Sequence, residues 1–375
     1  MDKESFANYL SNYLHLMALY LNKKEAPDFK IDEQSFSFFV KLSKQHSLMA
    51  LLYKALKDTK VAVNQEHLKK LEEYYLANVR KNVLFKKERE DLFAHLNNQQ
   101  IDFLPLKGLV LTNYYLDPDT REYADNDILF SSKEKDIKEF FVKRDYKIES
   151  FKNEKHDVYL KKPFFNFEMH RTLFDETNDF PESVNYFADF LKKAPIKEGH
   201  EHYSTKEDFY IYFTAHTYKH FSHSGCGIRT LIDYYLYLKN NDLDFAYIDQ
   251  EFKKLNILDF SHQIASLSLK VFNEEELSDN EKEMLLYIAT SGTYGTLQNS
   301  VDKGVKEKGK FKYFMYRIFP PMSYYKVAYP WAYKSKVLIP IAWIARFFRI
   351  LFKNPKKAKK EIELISKSNN EKNVK

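Results

Sequence analysis

The chain has 375 residues, 44% hydrophobic and 30% charged, with only eight glycines and a single cysteine, Cys226. This composition excludes a disordered or collagen-like chain, a glycine-rich dinucleotide fold, a disulfide framework and a cysteine-based zinc site. The net charge of +6 divides unevenly: residues 302–375 hold 19 Lys+Arg against 5 Asp+Glu, leaving 40 against 48 for residues 1–301, so specific nucleic-acid binding is not expected and any anionic surface partner belongs to the C-terminal quarter.

The N-terminus, Met1-Asp2-Lys3-Glu4-Ser5, is charged and lacks an apolar signal core, which predicts a cytoplasmic protein. Residues 4–22 and 34–57 carry apolar positions three and four apart (Phe38, Phe39, Leu42, Leu48, Leu51 and Leu52 in the second run), the spacing of amphipathic helices. Residues 64–97 continue the pattern. The run Ile101–Leu106 then reads as a strand closed by Lys107-Gly108, with a short helix over 109–115. Ile128–Phe130 is a second strand, and residues 133–144 are a helix. Three short β-like runs follow at 146–150, 157–160 and 164–170, and the pattern is helical from Pro181 to about residue 290. The predicted architecture is α+β. A helical region (1–100) precedes a small α/β core with a mixed sheet (101–175), followed by a helical domain (176–300) and a basic helical tail (301–375).

Three carboxylates in the α/β segment have the placement a metal site needs. Asp125 and Asp127 are two residues apart, so on extended chain both point to one face. Glu168 interrupts the otherwise apolar alternation of Phe165–His170, where an acidic group is costly unless paired or coordinated. Strands lying side by side would bring Glu168 against the two aspartates, and hard oxygen ligands suit Mg²⁺. Upstream, Lys107-Gly108 ends a strand and opens a helix. That arrangement offers an ammonium and backbone N–H groups to phosphate. Metal ligands beside a phosphate cradle are what phosphoryl or nucleotidyl transfer requires.

These segments resemble the uncharacterised bacterial nucleotidyltransferase family of the DNA polymerase β-like superfamily. The likeness lies in Leu104-Pro105-Leu106-Lys107-Gly108-Leu109, Tyr114-Tyr115-Leu116-Asp117-Pro118-Asp119-Thr120-Arg121 and Ala124-Asp125-Asn126-Asp127-Ile128-Leu129. It continues in Phe167-Glu168-Met169-His170, His216 with Lys219-His220, and Arg229-Thr230-Leu231-Ile232-Asp233. Upstream, Gln45-His46-Ser47 through Tyr53 fits a helical lead-in; Pro320, Tyr329-Pro330 and Pro340 fit the tail. The resemblance implies a polymerase-β-like core and an enzyme moving a nucleoside monophosphate from a nucleoside triphosphate to a hydroxyl-bearing acceptor, in the setting of polysaccharide or natural-product biosynthesis. Carried over by position, Asp125, Asp127 and Glu168 are the catalytic carboxylates and the ligands of Mg²⁺ (or Mn²⁺). Lys107, Gly108, Arg121, Lys219, His220 and Arg229 are the nucleotide- and phosphate-binding set. The chain departs from the superfamily in having Lys107-Gly108 where Gly-Ser is usual, and Asn126 where an apolar residue is usual. Competing readings are a toxin-like transferase acting on RNA or protein, and a non-catalytic nucleotide-binding scaffold.

His216, His220 and His223 share one predicted helix and offer a zinc half-site, with His170 a candidate third ligand, or else cleft-lining and interhelix contacts. Asp233 is placed to pair with Arg229 at i,i+4. Ser222–Gly227 reads as a helix end and turn. In the tail, Val337–Ala345 is the most apolar run but too short for a bilayer that needs about 20 residues. Arg346, Arg349, Lys356, Lys357, Lys359 and Lys360 make its extension basic and amphipathic. It either docks on an anionic membrane face or acidic partner, or packs on the acidic body.

Overall fold

Helix-capping carboxylates start the chain's first two helices. Asp2 accepts the Ser5 N–H at 2.8 Å and opens α1 (Lys3–Leu21), and Asp32 accepts that of Ser35 at 2.7 Å and opens α2 (Glu33–His46). The computed structural model describes residues 2–152, 155–176, 179–293, 295–320, 322, 324–325, 329–353 and 355–367, so the last part of the basic tail lies outside the described residues. The run 34–57 is two helices rather than one. α2 stops at Ser47, in the left-handed region at φ 54°, and α3 (Met49–Asp58) begins two residues later. Periodicity hides the break because both helices bury their apolar residues in one core. α4 (Gln65–Asn98) then runs for 34 residues, about 50 Å at 1.5 Å per residue.

The α/β part follows as β1 (Phe103–Pro105), the single turn α5 (Gly108–Leu111), β2 (Asn126–Phe130), α6 (Glu134–Lys143), β3 (Lys147–Ser150), β4 (His156–Lys161) and β5 (Phe165–His170). After α7 (Pro181–Tyr186) and α8 (Phe190–Lys193) comes a hairpin, β6 (Ile196–Glu198) and β7 (Glu201–His202), in a stretch expected to be helical. It extends the sheet to seven strands in the order β3-β4-β5-β2-β1-β7-β6. The sheet is mixed: β2 pairs with β5 and β1 with β7 in parallel, the other pairs antiparallel. Helices α9 (Lys206–His223), α10 (Ile228–Asn240), α11 (Phe245–Lys254), α12 (Leu258–Asn273), α13 (Asp279–Ser291), α14 (Leu297–Lys308) and α15 (Lys310–Ile318) follow. Further helices span Pro330–Tyr333, Ile339–Lys353 and Pro355–Lys367.

Strand alternation assigns the two sheet faces to different cores. Phe103, Ile128, Phe130, Phe167 and Met169 pack with Phe85 and Leu92 of α4 and with Ile137 and Phe141 of α6. Leu104 and Leu129, one residue out of step, join the larger core built from α1, α2, α3, α9, α10 and α12. The polar residues in phase with Leu129 therefore face the helical layer, and that is where the candidate site lies.

One buried histidine stitches this layer together. His46 is fully buried; its Nε2–H donates to the Ala289 carbonyl and its Nδ1 accepts the Ile228 N–H, both at 3.0 Å. Gly227 makes the approach possible, since a Cβ there would lie 2.7 Å from Nδ1. Both nitrogens are committed with the ring neutral, and burial pushes its pKa down to about 4 from 6.5. As pH falls from 6.5 towards 4, the unfolded chain takes up a proton that the folded chain refuses, so stability is lost over that window, by at most about 3 kcal/mol. A His46→Gln variant lacks this term. Denaturant unfolding should show the stability gap between wild type and variant narrowing by about 2–3 kcal/mol from pH 7 to pH 4.5; a gap independent of pH would contradict it.

Candidate functional site

The loop that delivers the aspartates is held from outside by α4 and α3. Tyr75 donates to Asp117 at 2.7 Å, and Asn78 and Asn82 donate to the Asp119 carbonyl and carboxylate at 2.8 and 2.9 Å. Lys81 reaches the Tyr123 carbonyl at 2.6 Å. Glu122 accepts from the Ala50 N–H at the start of α3 (2.9 Å) and from Tyr74 (2.8 Å). Asn126 accepts from Arg89 at 2.9 Å and donates to the Asn166 carbonyl at 3.3 Å. It thus points to the α4 face, which accounts for a polar residue between the two aspartates.

On the opposite face Asp127 lies directly across from Glu168 in the parallel β2–β5 register, with Asp125 two residues upstream. The antiparallel β4 places His156 opposite His170. Lys107 donates to Asp127 Oδ1 at 2.9 Å, and His170 Nε2–H donates to the same oxygen at 2.8 Å. Asp125, Asp127, Lys107, Glu168 and His170 line a cleft of about 320 Å³, closed from the helical side by Tyr212, His216, Lys219 and Arg229.

The three carboxylates differ in charge compensation. Burial works against ionised Asp127, yet Lys107 and His170 hold its carboxyl well below the usual range. Burial and the Asp127 charge raise Asp125. Burial, then Asp127 and Asp125, raise Glu168 to about 7. Two half-buried carboxyls beside the Asp127 charge make a donor set that a divalent ion would neutralise, and their hard oxygens fit Mg²⁺ or Mn²⁺. Beside them, one donor atom each from His156, Glu168 and His170 gather within 4.8 Å of one another. Burial lowers the pKa of both imidazoles, that of His156 to about 3, so both are neutral donors at neutral pH. Among the described residues this is the one such three-donor grouping. His216 and His220 do meet, Nε2 to Nε2 at 2.9 Å, but without a third ligand or His223.

Around the expected phosphate cradle, the N–H groups of Leu109, Val110 and Leu111 are bonded to the carbonyls of Leu106 and Lys107 within the single turn of α5. Lys107 itself sits at φ 40°, a left-handed backbone that costs a lysine about 1–3 kcal/mol and turns its side chain onto Asp127. Gly108 is required by close approach: a Cβ there would lie 2.8 Å from Arg121 NH1.

Arg121 is buried and bound at two points to Asp233, Nε to Oδ1 at 2.8 Å and NH2 to Oδ2 at 2.9 Å, while Tyr115 donates to Oδ1 at 2.7 Å. Asp233 therefore pairs with Arg121 across the fold and not with Arg229 along α10. Arg229 donates instead to the Glu122 carbonyl. Lys219 reaches Asp179 at 2.5 Å. Sequence reasoning missed Lys155, 3.6 Å from the same Asp179, together with His156, because their place beside β5 depends on strand register. Burial and Lys219 push the Lys155 pKa down to about 8. His220 lines the cleft with a pKa lowered to about 3 by burial.

A family model described as uncharacterised nucleotidyltransferase matches residues 32–273, from the start of α2 to the end of α12. The chain belongs to this family. It is accordingly a transferase with an α+β nucleotidyltransferase-like core, and the match takes in every strand of the sheet and all of the cleft lining but Thr293. The prolines at 320, 330 and 340 lie beyond it. No curated protein and no solved structure matches the chain.

The Arg121–Asp233 pair is the nucleotidyltransferase's most buried charge contact on the cleft wall, and removing one partner strands the other. Asp233→Asn should cost about 3–5 kcal/mol in denaturant unfolding. Gly108→Ala, which pushes against the same guanidinium, should cost about 1–3 kcal/mol. A loss below about 1 kcal/mol in Asp233→Asn would show that the pair does not anchor the cleft.

Proposed function

We propose that the chain is a Mg²⁺- or Mn²⁺-dependent nucleotidyltransferase that moves a nucleoside monophosphate from a nucleoside triphosphate onto the hydroxyl of a small acceptor. The observation that carries this reading is the in-register pair Asp127 and Glu168, with Asp125 beside them, on the floor of one cleft. A strand that bears one aspartate and is immediately preceded by another two residues upstream, flanked by a strand bearing a third carboxylate, also favours a polymerase-β-like core. The acceptor's place in polysaccharide or natural-product assembly rests on family resemblance alone.

Asp125, Asp127 and Glu168 would hold the divalent ion. When bound, the ion neutralises triphosphate charge and eases loss of the hydroxyl proton. Lys107 keeps Asp127 ionised and oriented through its 2.9 Å contact, and His170 does the same from the other side. Lys219 and Lys155, which line the cleft wall and both reach Asp179, are the cations placed to meet the β- and γ-phosphates. The acceptor oxygen forms its bond to the α-phosphorus as the α–β phosphoanhydride bond breaks and pyrophosphate leaves. Glu168, with a carboxyl near pH 7, takes the hydroxyl proton. Arg121, committed to Asp233, acts as a support for the wall; Arg229, on the Glu122 carbonyl, positions the loop that carries Asp125.

Incubation with Mg²⁺, each α-labelled nucleoside triphosphate and a small-molecule extract should yield a labelled product, whereas γ-labelled nucleotide should yield labelled pyrophosphate. EDTA should abolish the transfer. Asp125→Asn, which leaves the Asp127 contacts in place, should lower it by on the order of 10²–10³-fold with unchanged circular dichroism. Undiminished transfer by Asp125→Asn, or product labelled from the γ-position, would overturn the reading.

A further inference from the structure

The C-terminal helices carry two features that the cleft does not use. The first is charge: the balance over residues 302–375 is 19 cationic against 5 anionic side chains, and Lys312, Lys334, Lys359 and Lys360 are exposed. The second is apolar exposure. Among the described residues, 13 of the 25 exposed large apolar side chains fall between Phe311 and Ile362. On the helix Ile339–Lys353, Ile339 and Ala342 turn inward to pack with Tyr325 and Tyr329. Ile341 and Ile344, three residues apart, lie on another side, 53% and 58% exposed, with Val337 just upstream at 82%. A helix apolar on its inner side and again on its outer side has more apolar surface than its own core uses.

The composition of the outer face distinguishes the occupants. Nucleic acid gains nothing from an Ile/Val stripe. The acidic body is not the occupant either, because these side chains are turned to solvent. An outward aliphatic stripe on a short helix, in a segment that also carries the partly exposed Trp331 and Trp343 and a strong excess of lysine, is the pattern of an element lying in the plane of a bilayer surface. None of the described helices is long and apolar enough to cross a membrane. The geometry points to the described residues 311–320, 329–353 and 355–367 as an interfacial docking element that seats this chain on an anionic lipid surface, with Val337, Ile341 and Ile344 entering the headgroup region and the lysines meeting lipid phosphate. The side chains of Arg349, Lys356 and Lys357 lie outside the described residues. Tyr313 and Ile365 pack on Val301 and Val305 of α14, and α14 is bonded to the body: Lys303 donates to the Ser222 carbonyl, and Asn299 to that of Ser224 at 3.2 Å.

The test has a built-in reporter, because both tryptophans of the chain, Trp331 and Trp343, belong to this element. Full-length protein mixed with phosphatidylcholine–phosphatidylserine vesicles should co-sediment with them and show blue-shifted tryptophan emission. Pure phosphatidylcholine should bind it more weakly, and added NaCl should release it. A double variant, Ile341→Asp with Ile344→Asp, changes exposed positions only. It should lose at least about tenfold in vesicle partitioning while keeping its circular dichroism, melting temperature and nucleotidyl transfer to a soluble acceptor. Absence of co-sedimentation and of any emission shift with anionic vesicles would overturn the proposal. So would a concentration-dependent dimer in light scattering that the double variant abolishes without any vesicle binding by wild type. Since neither readout involves catalysis, the result is independent of the proposed transfer reaction.

Discussion

The cleft depends on one buried ion pair. Arg121 comes from the loop before β2, and Asp233 from the middle of α10, so the pair joins the α/β part to the helical layer. Its two-point geometry and the third contact from Tyr115 leave the loop a single docking position, because a guanidinium displaced from Asp233 would be a buried, unpaired charge. Asp125 and Asp127 follow within six residues. Their position relative to α9 and α10 is therefore set by a wall contact and not by the carboxylates of the floor themselves. Gly108 fits the same logic: the turn that presents Lys107 can lie against the guanidinium because it has no side chain there.

With the walls placed, the electrostatics of the floor follow from who neighbours whom. Asp127 receives both donors, Lys107 and His170, on one oxygen, and it stays ionised despite full burial. Asp125 and Glu168 sit within its field and lack comparable partners, so their carboxyls rise. The fold thus builds one strongly acidic anchor and two carboxyls whose ionisation burial and the neighbouring charge disfavour. Across the cleft, Lys155 and Lys219 both reach the carboxylate of Asp179. An acidic floor against a cationic wall suits a metal-bound polyphosphate, which presents both signs at a short separation.

What the sequence discloses and what it conceals divide along physical lines. The β2 and β5 strands are legible because apolar alternation is a local property, and Asp125, Asp127 and Glu168 stand out as charges within it. The Ser47 break is not, since the helices on either side feed the same core and their spacing continues through the turn. The β6–β7 hairpin is short and polar, Ile196 is largely exposed, and β7 joins the sheet through the single register pair Phe103↔Glu201. Nothing periodic announces such an element. The Asp233 partner shows the limit most clearly. Helical spacing favours Arg229 four residues away, but an exposed i,i+4 pair is worth only about 0.3–0.5 kcal/mol, whereas tertiary packing places Arg121, 112 residues distant, in a buried two-point contact. Local rules lose wherever burial raises the stakes. For the same reason His156 and Lys155 emerge only once β4 has a register.

The tail poses the converse question, since Ile341 and Ile344 join no apolar core among the described residues. Val301, Val305, Tyr313 and Ile365 form one small core, and Tyr325, Tyr329, Ile339 and Ala342 another. Ile341 and Ile344 belong to neither. Replacing them with polar residues would not deprive either core of a member, so their apolar character is not explained by folding. Nor does the nucleotidyltransferase match require them, as it ends at Asn273. Yet α14 is bonded to the C-terminal end of α9, the helix that turns His216 and Lys219 into the cleft. A surface held by the tail would therefore stand in a set relation to the cleft rather than at the end of a loose tether. That places the burden of explanation for these exposed isoleucines on what the tail touches, not on how it folds.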